Sequence, residues 1–230
     1  MSKSIVVVGF GPGISTAVAQ RFGAEGFSIA LVARNEERLE AGVRALKASG
    51  IAAAAFRADA GDPAAIRAAI GKARAEFGPI TVIHWNAYGG AEAGDLLATD
   101  PAAVRSVFDV AVVGLLAAVQ EALPDLKSTK EGAVLVTNGA FGEATPLMDG
   151  LAASFKAEGV GLANAAKHKL VGLLAQRLKD EGVYVGEVMV AGLIKGTPFD
   201  SGGQGIESST VAATFWELYQ ARGEIRARVS

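Results

Sequence analysis

Short apolar runs alternate along the chain with longer segments in which apolar residues recur every three or four positions. Runs rich in β-branched residues are typical of buried strands, whereas the longer period is typical of helices that bury one face. The predicted strands are Ile5–Val8, Ser28–Ala33, Ile51–Phe56, Ile80–Trp85, Ala133–Thr137, Val183–Val190 and a short final strand at Ile225–Val229.

Residues that favour helix termini lie between these strands. Asn35 and Asp62 are suited to N-caps, and Pro63 takes the first helical position, where its missing N–H costs nothing. The predicted helices run from Ile14 to Gly26, from Asn35 to Gly50, from Asp62 to Gly78, from Asp100 to about Leu123, over roughly Gly161–Glu181, and from a cap at Ser209 through Ala221.

Strands that alternate with helices indicate right-handed β–α–β units and a mainly parallel sheet, hence an α/β fold. No linker, repeat or shift in composition divides the chain, so residues 1–230 are predicted to form a single domain. Two connections stand outside the pattern and are expected to shape a ligand pocket. Phe141–Gly161 is irregular, and Gly192–Gly205 is glycine-rich and predicted to be mobile.

Composition excludes several classes of function. The 230 residues are 50% hydrophobic and carry a net charge of −2, which gives no reason to expect nucleic acid or an acidic membrane as partner. The absence of cysteine excludes disulfides and thiolate chemistry, and with only two histidines no metal site is expected. The longest apolar stretch, Ala111–Val119, is too short to cross a bilayer, and no signal peptide is evident, so a cytoplasmic location is expected.

Three glycines, Gly9, Gly11 and Gly13, lie between the first strand and the first helix. A helix N-terminus offers unpaired N–H groups to a phosphate, and glycine lets the backbone approach closely. The common dinucleotide fingerprint has its third glycine one position later, at Ile14, and Pro12 removes one donor. A dinucleotide site is therefore predicted here, with a tight turn that binds no ligand as the alternative.

The end of the second strand bears on the choice of cofactor. Sites that prefer NAD place an acid there for the ribose hydroxyl, but this chain has Ala33 followed by Arg34. A guanidinium suits the 2′-phosphate of NADP, so NADP(H) is favoured over NAD(H). An ordinary solvated arginine before a helix is the alternative.

Taken together, these features resemble the short-chain dehydrogenase/reductase family over nearly the whole chain. In the family's glycine loop, the three glycine positions fall at Gly9, Gly13 and Ser15. The other matching positions are Asp59 with its neighbour Ala60 after the third strand, Asn86-Ala87 after the fourth, Lys167 in the long helix, and Ala191-Gly192 after the sixth.

The resemblance implies a three-layer, doubly wound Rossmann fold with seven strands in the order 3-2-1-4-5-6-7. The cofactor would lie across the carboxyl ends of the strands. The residues assigned to it are Gly9, Gly11, Gly13, Ile14, Ser15, Arg34, Asp59, Ala60, Asn86, Ala87, Lys167 and Gly192. Relatives form dimers or tetramers through two long helices, and the almost wholly apolar stretch Ala111–Val119 agrees with a homodimer or homotetramer.

The family's catalytic side chains are mostly missing. Its proton-transferring tyrosine corresponds to Ala163, its substrate-binding serine to Gly139 and its relay asparagine to Ala111, which leaves Lys167. Tyr88 and Asn138 are candidate substitutes, the first as a proton donor and the second as a hydrogen-bond donor. Packing of Tyr88 against the cofactor loop is the alternative for that residue.

Three functions remain open at this stage. The first is an NADP(H)-dependent reductase with an atypical proton donor, acting on a small, apolar carbonyl or enoyl substrate. The second is a cofactor-sensing protein without turnover, and the third is a structural subunit that pairs with an active relative. The cofactor positions support the first two, whereas loss of a general acid, which costs about 10²–10⁴-fold in rate, favours the last two.

Overall fold

The computed structural model describes residues 3–197, 200 and 205–230. The strands are β1 (Ser4–Val8), β2 (Ser28–Ala33), β3 (Ala53–Arg57), β4 (Val82–Trp85), β5 (Ala133–Gly139), β6 (Tyr184–Val190) and β7 (Arg226–Val229). The helices are α1 (Ile14–Ala24), α2 (Glu36–Ala48), α3 (Pro63–Phe77), α4 (Val104–Phe108), α5 (Leu115–Ser128), α6 (Pro146–Ser154), α7 (Glu158–Leu178) and α8 (Ser208–Ala221).

The strands form one seven-stranded sheet in the order β3-β2-β1-β4-β5-β6-β7, and every pairing is parallel. The predicted doubly wound Rossmann topology is therefore confirmed. The order reverses between β1 and β4, where the direction of winding changes and the carboxyl ends of the strands leave a crevice. This crevice lies beside Val8 and Trp85, which are paired in the register of the two strands.

Alternate residues of each strand pack into two separate cores, one on each face of the sheet. In β1, Val6 and Val8 join the core beneath α3, α5 and α7, whereas Ile5 and Val7 join the core beneath α1, α2 and α8. This alternation follows from the two-residue period of a strand. Burial of each such side chain contributes about 1.5–3 kcal/mol to stability.

An aromatic cluster joins α8 to α1 on the second face. Phe22 and Phe27 meet Trp216 and Tyr219 at ring-centroid distances between 5.1 and 6.3 Å, mostly edge to face. This geometry is favourable for aromatic pairs. The aromatic residues of the last helix therefore fix the helix to the core.

Three sequence predictions about helices need correction. The long helix begins at Val104 rather than Asp100, continues to Ser128, and contains a π-helical segment at Asp109–Gly114. The irregular segment holds α6, which Thr145 caps through its side chain. The last helix begins at Ser208, one residue before the proposed cap.

The continuous helix Val104–Ser128 is 25 residues long and, by length and composition alone, is apolar enough to cross a membrane. The prediction considered only its central apolar run and so missed this length. Core helices of soluble proteins meet the same criterion, and 44% of the apolar window is buried within this fold.

The connection after β6 is anchored at both ends. Ile194 forms a parallel bridge with Ile206, and Lys195 forms an ion pair with Glu207 at 2.6 Å. The predicted mobility of this loop falls partly on residues 198–199 and 201–204, which lie outside the described residues. The described part, including Thr197, lies against the glycine loop at Gly13.

Candidate functional site

The glycine loop has a backbone that only glycine adopts readily. Gly9 has φ +83°, and a Cβ there would lie 2.4 Å from the amide nitrogen of Ala87. Gly13 has φ +91° and immediately precedes Ile14, the first residue of α1. The N–H groups of the first turn of α1 have no partner within the helix and point towards the crevice end of the sheet. Two of the glycines are therefore required by the turn itself.

Side chains at the start of α1 hold this loop in shape. The hydroxyl of Ser15 accepts a hydrogen bond from the Gly11 N–H at 2.9 Å and donates to the Gly11 carbonyl at 3.0 Å. Thr16 donates to the same carbonyl at 2.7 Å. Ser15 thus replaces the expected third glycine with a clamp, and the Gly11 N–H is engaged within the loop.

The predicted Asn86-Ala87 motif meets the glycine loop directly. The Asn86 N–H donates to the carbonyl of Val8 at 2.8 Å, and its side-chain amide donates to the carbonyl of Gly9 at 3.3 Å. Ala87 packs against the α-carbon of Gly9, where any side chain would collide. These contacts fix the two edges of the crevice relative to each other.

Arginine side chains surround the exposed end of β2. Arg34 is exposed, and its carbonyl accepts a hydrogen bond from Nε of Arg57 at 3.2 Å. Nη1 of Arg38 lies 3.6 Å from the place where a Cβ on Gly11 would be. Sequence reasoning missed Arg38 and Arg57, although Arg38 comes only four residues after Arg34, which was identified.

The residues after β3 that were predicted to contact adenine are also near this end. Asp59 is exposed, and one of its carboxylate oxygens accepts the Gly61 N–H at 2.9 Å. The carbonyl of Ala60 packs against Gly114 of the π-helical segment, where a Cβ would lie 1.9 Å away. Gly114 therefore allows the long helix to approach the third βα connection.

Lys167 is buried in α7, with 3% of its surface exposed. Its ammonium makes no hydrogen bond to any residue that the structure describes. Burial lowers the pKa of Lys167 to about 8, and the negative charge of Glu187 partly opposes this shift. A buried cation with a lowered pKa and no hydrogen bond to a described residue is a candidate for a binding or proton-donating group.

Asn138 does not face a substrate position, and the prediction that it does is corrected. Its amide donates to the backbone carbonyl of Asn164 at 3.0 Å and to Oε1 of Glu187 at 2.6 Å. Its side-chain oxygen accepts the Gly139 N–H at 3.1 Å. Both donors of the amide are therefore used inside the protein.

Glu187, which the sequence analysis missed, organises this interior. Its carboxylate is fully buried in β6 and accepts from Asn138. Nδ1 of His168 lies 2.8 Å from Oε2, and Nε of Arg226 lies 3.1 Å from the same atom. A carboxylate inside the apolar run "VYVGEVMV" was the signal that could have identified it, because buried charges need partners.

The tyrosine and asparagine positions of the family are occupied together by a small apolar cluster. Ala163 and Ala111 pack with Ala93 and Val107, and all four are buried. Gly90 and Ala93 approach α7 closely, since a Cβ on Gly159 would lie 2.6 Å from Cβ of Ala93. A proton relay of the usual polar residues has no counterpart among these side chains.

The remaining predicted residues lie at the mouth of the crevice. Tyr88 is 56% exposed and follows the Asn86-Ala87 motif. Gly192 is exposed after β6, and a Cβ there would lie 2.9 Å from Cδ1 of Ile206. The structure thus brings the glycine loop, the motif after β4 and the connection after β6 together at one edge of the sheet.

This fold and this arrangement of residues define a class of protein. The short chain dehydrogenase family model matches residues 3–201, and the chain belongs to that family of oxidoreductases. Among curated relatives, a 3-dehydrosphinganine reductase of Arabidopsis thaliana is 33% identical over 131 residues, which is 56% of this chain and 39% of the relative. The match therefore spans well under half of that plant protein.

Two further relatives are similar over more of their length. A 3-oxoacyl-[acyl-carrier-protein] reductase of Staphylococcus aureus is 27% identical over 74% of this chain and 69% of the relative. A 3beta-hydroxysteroid dehydrogenase of Eggerthella lenta is 28% identical over 81% of this chain and 69% of the relative. The relatives act on chemically different substrates, so they do not identify one.

Solved structures agree on the fold. L-sorbose reductase of Gluconobacter frateurii, crystallised with NADPH and L-sorbose, has a TM-score of 0.86 at 20% identity and covers 100% of this chain and 95% of its own. A metagenomic short-chain oxidoreductase in complex with NADP has a TM-score of 0.78 at 24% identity and covers 99% of this chain and 95% of its own.

Proposed function

We propose that this chain is an NADP(H)-dependent reductase that acts on a small, apolar carbonyl or enoyl substrate, with Lys167 in place of the usual tyrosine as proton donor. The observation that carries the proposal is the buried ammonium of Lys167, which makes no hydrogen bond to any described residue, in a fold that keeps Gly9 and Gly13 of the glycine loop. Structural neighbours that were crystallised with NADP or NADPH support a nicotinamide cofactor.

The residues at the crevice fit a dinucleotide. Gly9 and Gly13 give the loop the positive-φ backbone that leads into α1, and the first turn of α1 offers unpaired N–H groups to a pyrophosphate. Arg34 and Arg38 supply positive charge at the end of β2, where a 2′-phosphate would lie. Asp59 has one carboxylate oxygen that accepts no described N–H and is available to the adenine.

The chemistry divides between cofactor and protein. Reduced nicotinamide supplies a hydride when it is bound. Lys167 donates a proton to the substrate oxygen and regains one from water. Its lowered pKa of about 8 makes this transfer easier than for an ordinary lysine, because a general acid works best with a pKa near the operating pH.

The preference for an apolar substrate rests on the two connections that border the crevice. Leu147 and Phe155, at the two ends of α6, and Leu193, after β6, are all largely exposed. Large apolar side chains that remain exposed around a crevice are suited to binding an apolar ligand.

Cofactor titration tests the first part of the proposal. We expect NADPH to bind more tightly than NADH. Arg34→Ala should raise the Kd of NADPH by about 10-fold, because a charge-assisted contact is lost. Arg44→Ala, which removes an exposed arginine elsewhere on α2, is the control and should leave both affinities unchanged. Failure of both cofactors to bind at high micromolar concentration would contradict the proposal.

Turnover is tested with a panel of C4–C8 ketones, aldehydes and 2-enals, followed by nicotinamide absorbance. We expect at least one to be reduced with NADPH, and Lys167→Met to abolish that reduction.

A second candidate function, a cofactor-sensing protein without turnover, is favoured by the apolar cluster of Ala93, Val107, Ala111 and Ala163. Tight NADPH binding with no reduction across the panel would favour this second candidate.

A further inference from the structure

Gly139 and Asn164 fit together at the point where the family has its substrate-binding serine. A Cβ on Gly139 would lie 2.7 Å from Nδ2 of Asn164, which is closer than such atoms pack. The amide of Asn164 therefore fills the space in which a serine side chain would begin. A serine at position 139 and the amide of Asn164 in its present position would occupy the same space, so the two exclude each other.

The backbone around Asn164 is held firmly. Its carbonyl accepts the hydrogen bond from Asn138, and a Cβ on Gly142 would lie 2.8 Å from Cβ of Asn164. The helix therefore approaches the turn after β5 as closely as glycine permits. Such tight packing restricts the directions in which the amide can point, and pre-organised donors bind an oxygen most effectively.

The side-chain amide of Asn164 lacks a partner. Only 5% of Asn164 is exposed, and its amide makes no hydrogen bond to any residue that the structure describes. The amide atoms are not among the fully enclosed polar atoms without a partner in the described part of the chain, so the amide keeps some solvent access and is open to an incoming ligand. An NH₂ group donates two hydrogen bonds and calls for an oxygen acceptor.

Asn164 and Lys167 lie on the same side of α7. Residues three apart on a helix are neighbours, and both of these are buried in the face that meets the sheet. An amide donor and an ammonium donor are thus three residues apart on this face of the helix, and the amide lies next to Gly139. This pairing is suited to an oxygen that gains negative charge during a reaction.

We propose that Asn164 binds the substrate carbonyl oxygen through Nδ2, in place of the family's serine, while Lys167 protonates that oxygen. This inference rests on the proposed reductase function. The carbonyl carbon gains a hydride from NADPH, the electron pair of the broken C=O π bond takes a proton from Lys167, and the products are an alcohol, NADP⁺ and neutral lysine. Asn164 stabilises the developing charge and loses no proton.

Asn164→Asp is the decisive variant because it keeps the shape of the side chain and removes the NH₂ donor. We expect kcat/KM for the best ketone of the C4–C8 panel to fall by about 10²–10³-fold, as for loss of an oxyanion donor. The Kd of NADPH should stay within threefold of the wild-type value. Gln176→Ala, which removes an exposed amide from the same helix, should change neither quantity.

Binding of isobutyramide gives a readout that does not depend on turnover. This small amide presents a carbonyl oxygen to the protein–NADPH complex and is not reduced. We expect Asn164→Asp to weaken its binding at least 10-fold, as measured by titration of NADPH fluorescence.

In the double variant Gly139→Ser with Asn164→Ala, a serine enters the vacated space, and turnover should recover at least 10-fold over Asn164→Ala alone.

The outcomes separate the two proposals. A wild-type protein that neither binds NADPH nor reduces any ketone contradicts the proposed function. A wild-type protein that does both, together with an Asn164→Asp variant that keeps turnover and isobutyramide affinity within threefold, contradicts the role of Asn164 alone.

Discussion

At the scale of the residue, Lys167 carries a cost in stability. Its pKa is about 8 in the folded chain against 10.5 in the ordinary state, so below pH 8 the folded protein holds a charge that burial disfavours. As the pH rises from 8 to 10.5, the folded state releases this proton before the unfolded state does, and the cost disappears.

Lys167→Met is therefore expected to raise the free energy of unfolding at pH 7 by about 2–3 kcal/mol. The gain should shrink towards zero as the pH approaches 10.5. Urea denaturation of both proteins at pH 7, 9 and 10.5 measures it, with exposed Lys169→Met as the control. A variant less stable than the wild type at pH 7 would contradict this account of the buried ammonium.

Residue roles were only partly predictable. The spacing of the surrounding motif singled out Lys167, which the structure shows to be buried. The face of the sheet to which the side chain of Asn138 points was predicted wrongly. Asn138 shares the two-residue period of Val134 and Val136, so it points to the face that α7 covers. The alternation along β5 therefore shows which face Asn138 points to. Its partner Glu187 lies on the neighbouring strand β6, and a single sequence does not show which side chains meet across strands.

At the scale of the element, the turn between β1 and α1 depends on its glycine conformations. Gly13→Ala forces a side chain into a left-handed conformation, with its Cβ 3.1 Å from Cγ2 of Thr197. We expect a loss of about 1–3 kcal/mol in stability and weaker NADPH binding, because the first N–H groups of α1 move.

The matched control for this substitution is Gly71→Ala in the middle of α3. None of the described residues has an atom within 4 Å of a Cβ at that position. Alanine is favoured over glycine inside a helix, so the free energy of unfolding of the control variant should rise by about 0.5–1 kcal/mol. Urea midpoints compare the two variants, and equal stability changes would show that the loop conformation of Gly13 does not matter.

Element boundaries were predictable where local chemistry sets them. Asn35 and Asp62 do cap α2 and α3 through their side chains. The Thr145-Pro146 start of α6 carried similar signals, which the glycine and alanine content around it obscured. The π-helical segment ends at Gly114, which packs against the carbonyl of Ala60, and periodicity does not reveal such a tertiary contact.

At the scale of the whole molecule, strand order follows from connectivity. Each strand except the last is followed by a helix, and right-handed crossovers then leave few arrangements of a parallel sheet. The family resemblance selects one of these, and the structure confirms it. The assembly, by contrast, depends on which exposed surfaces meet a second copy, and the alternation of strands and helices carries no information on that.

We expect the chain to associate with copies of itself through the outer faces of its two long helices. Phe108 and Val113 of the long helix, with Leu162 and Leu173 of α7, leave apolar surface exposed although the inner faces of the same helices cover the core. Paired helices would bury this surface, and each large side chain removed from water contributes about 1.5–3 kcal/mol.

Light scattering after gel filtration tests this assembly. The wild type should have two or four times the chain mass of 23.4 kDa. Val113→Asp with Leu173→Asp should yield a monomer, since both carboxylates would have to be buried without partners. Leu97→Asp, at a fully exposed leucine outside the two helices, should leave the mass unchanged. A wild type that runs as a monomer at 50 µM would exclude the interface. If the monomeric double variant keeps its NADPH affinity, the crevice is complete within one chain, as the contacts between Gly9 and the Asn86-Ala87 motif imply.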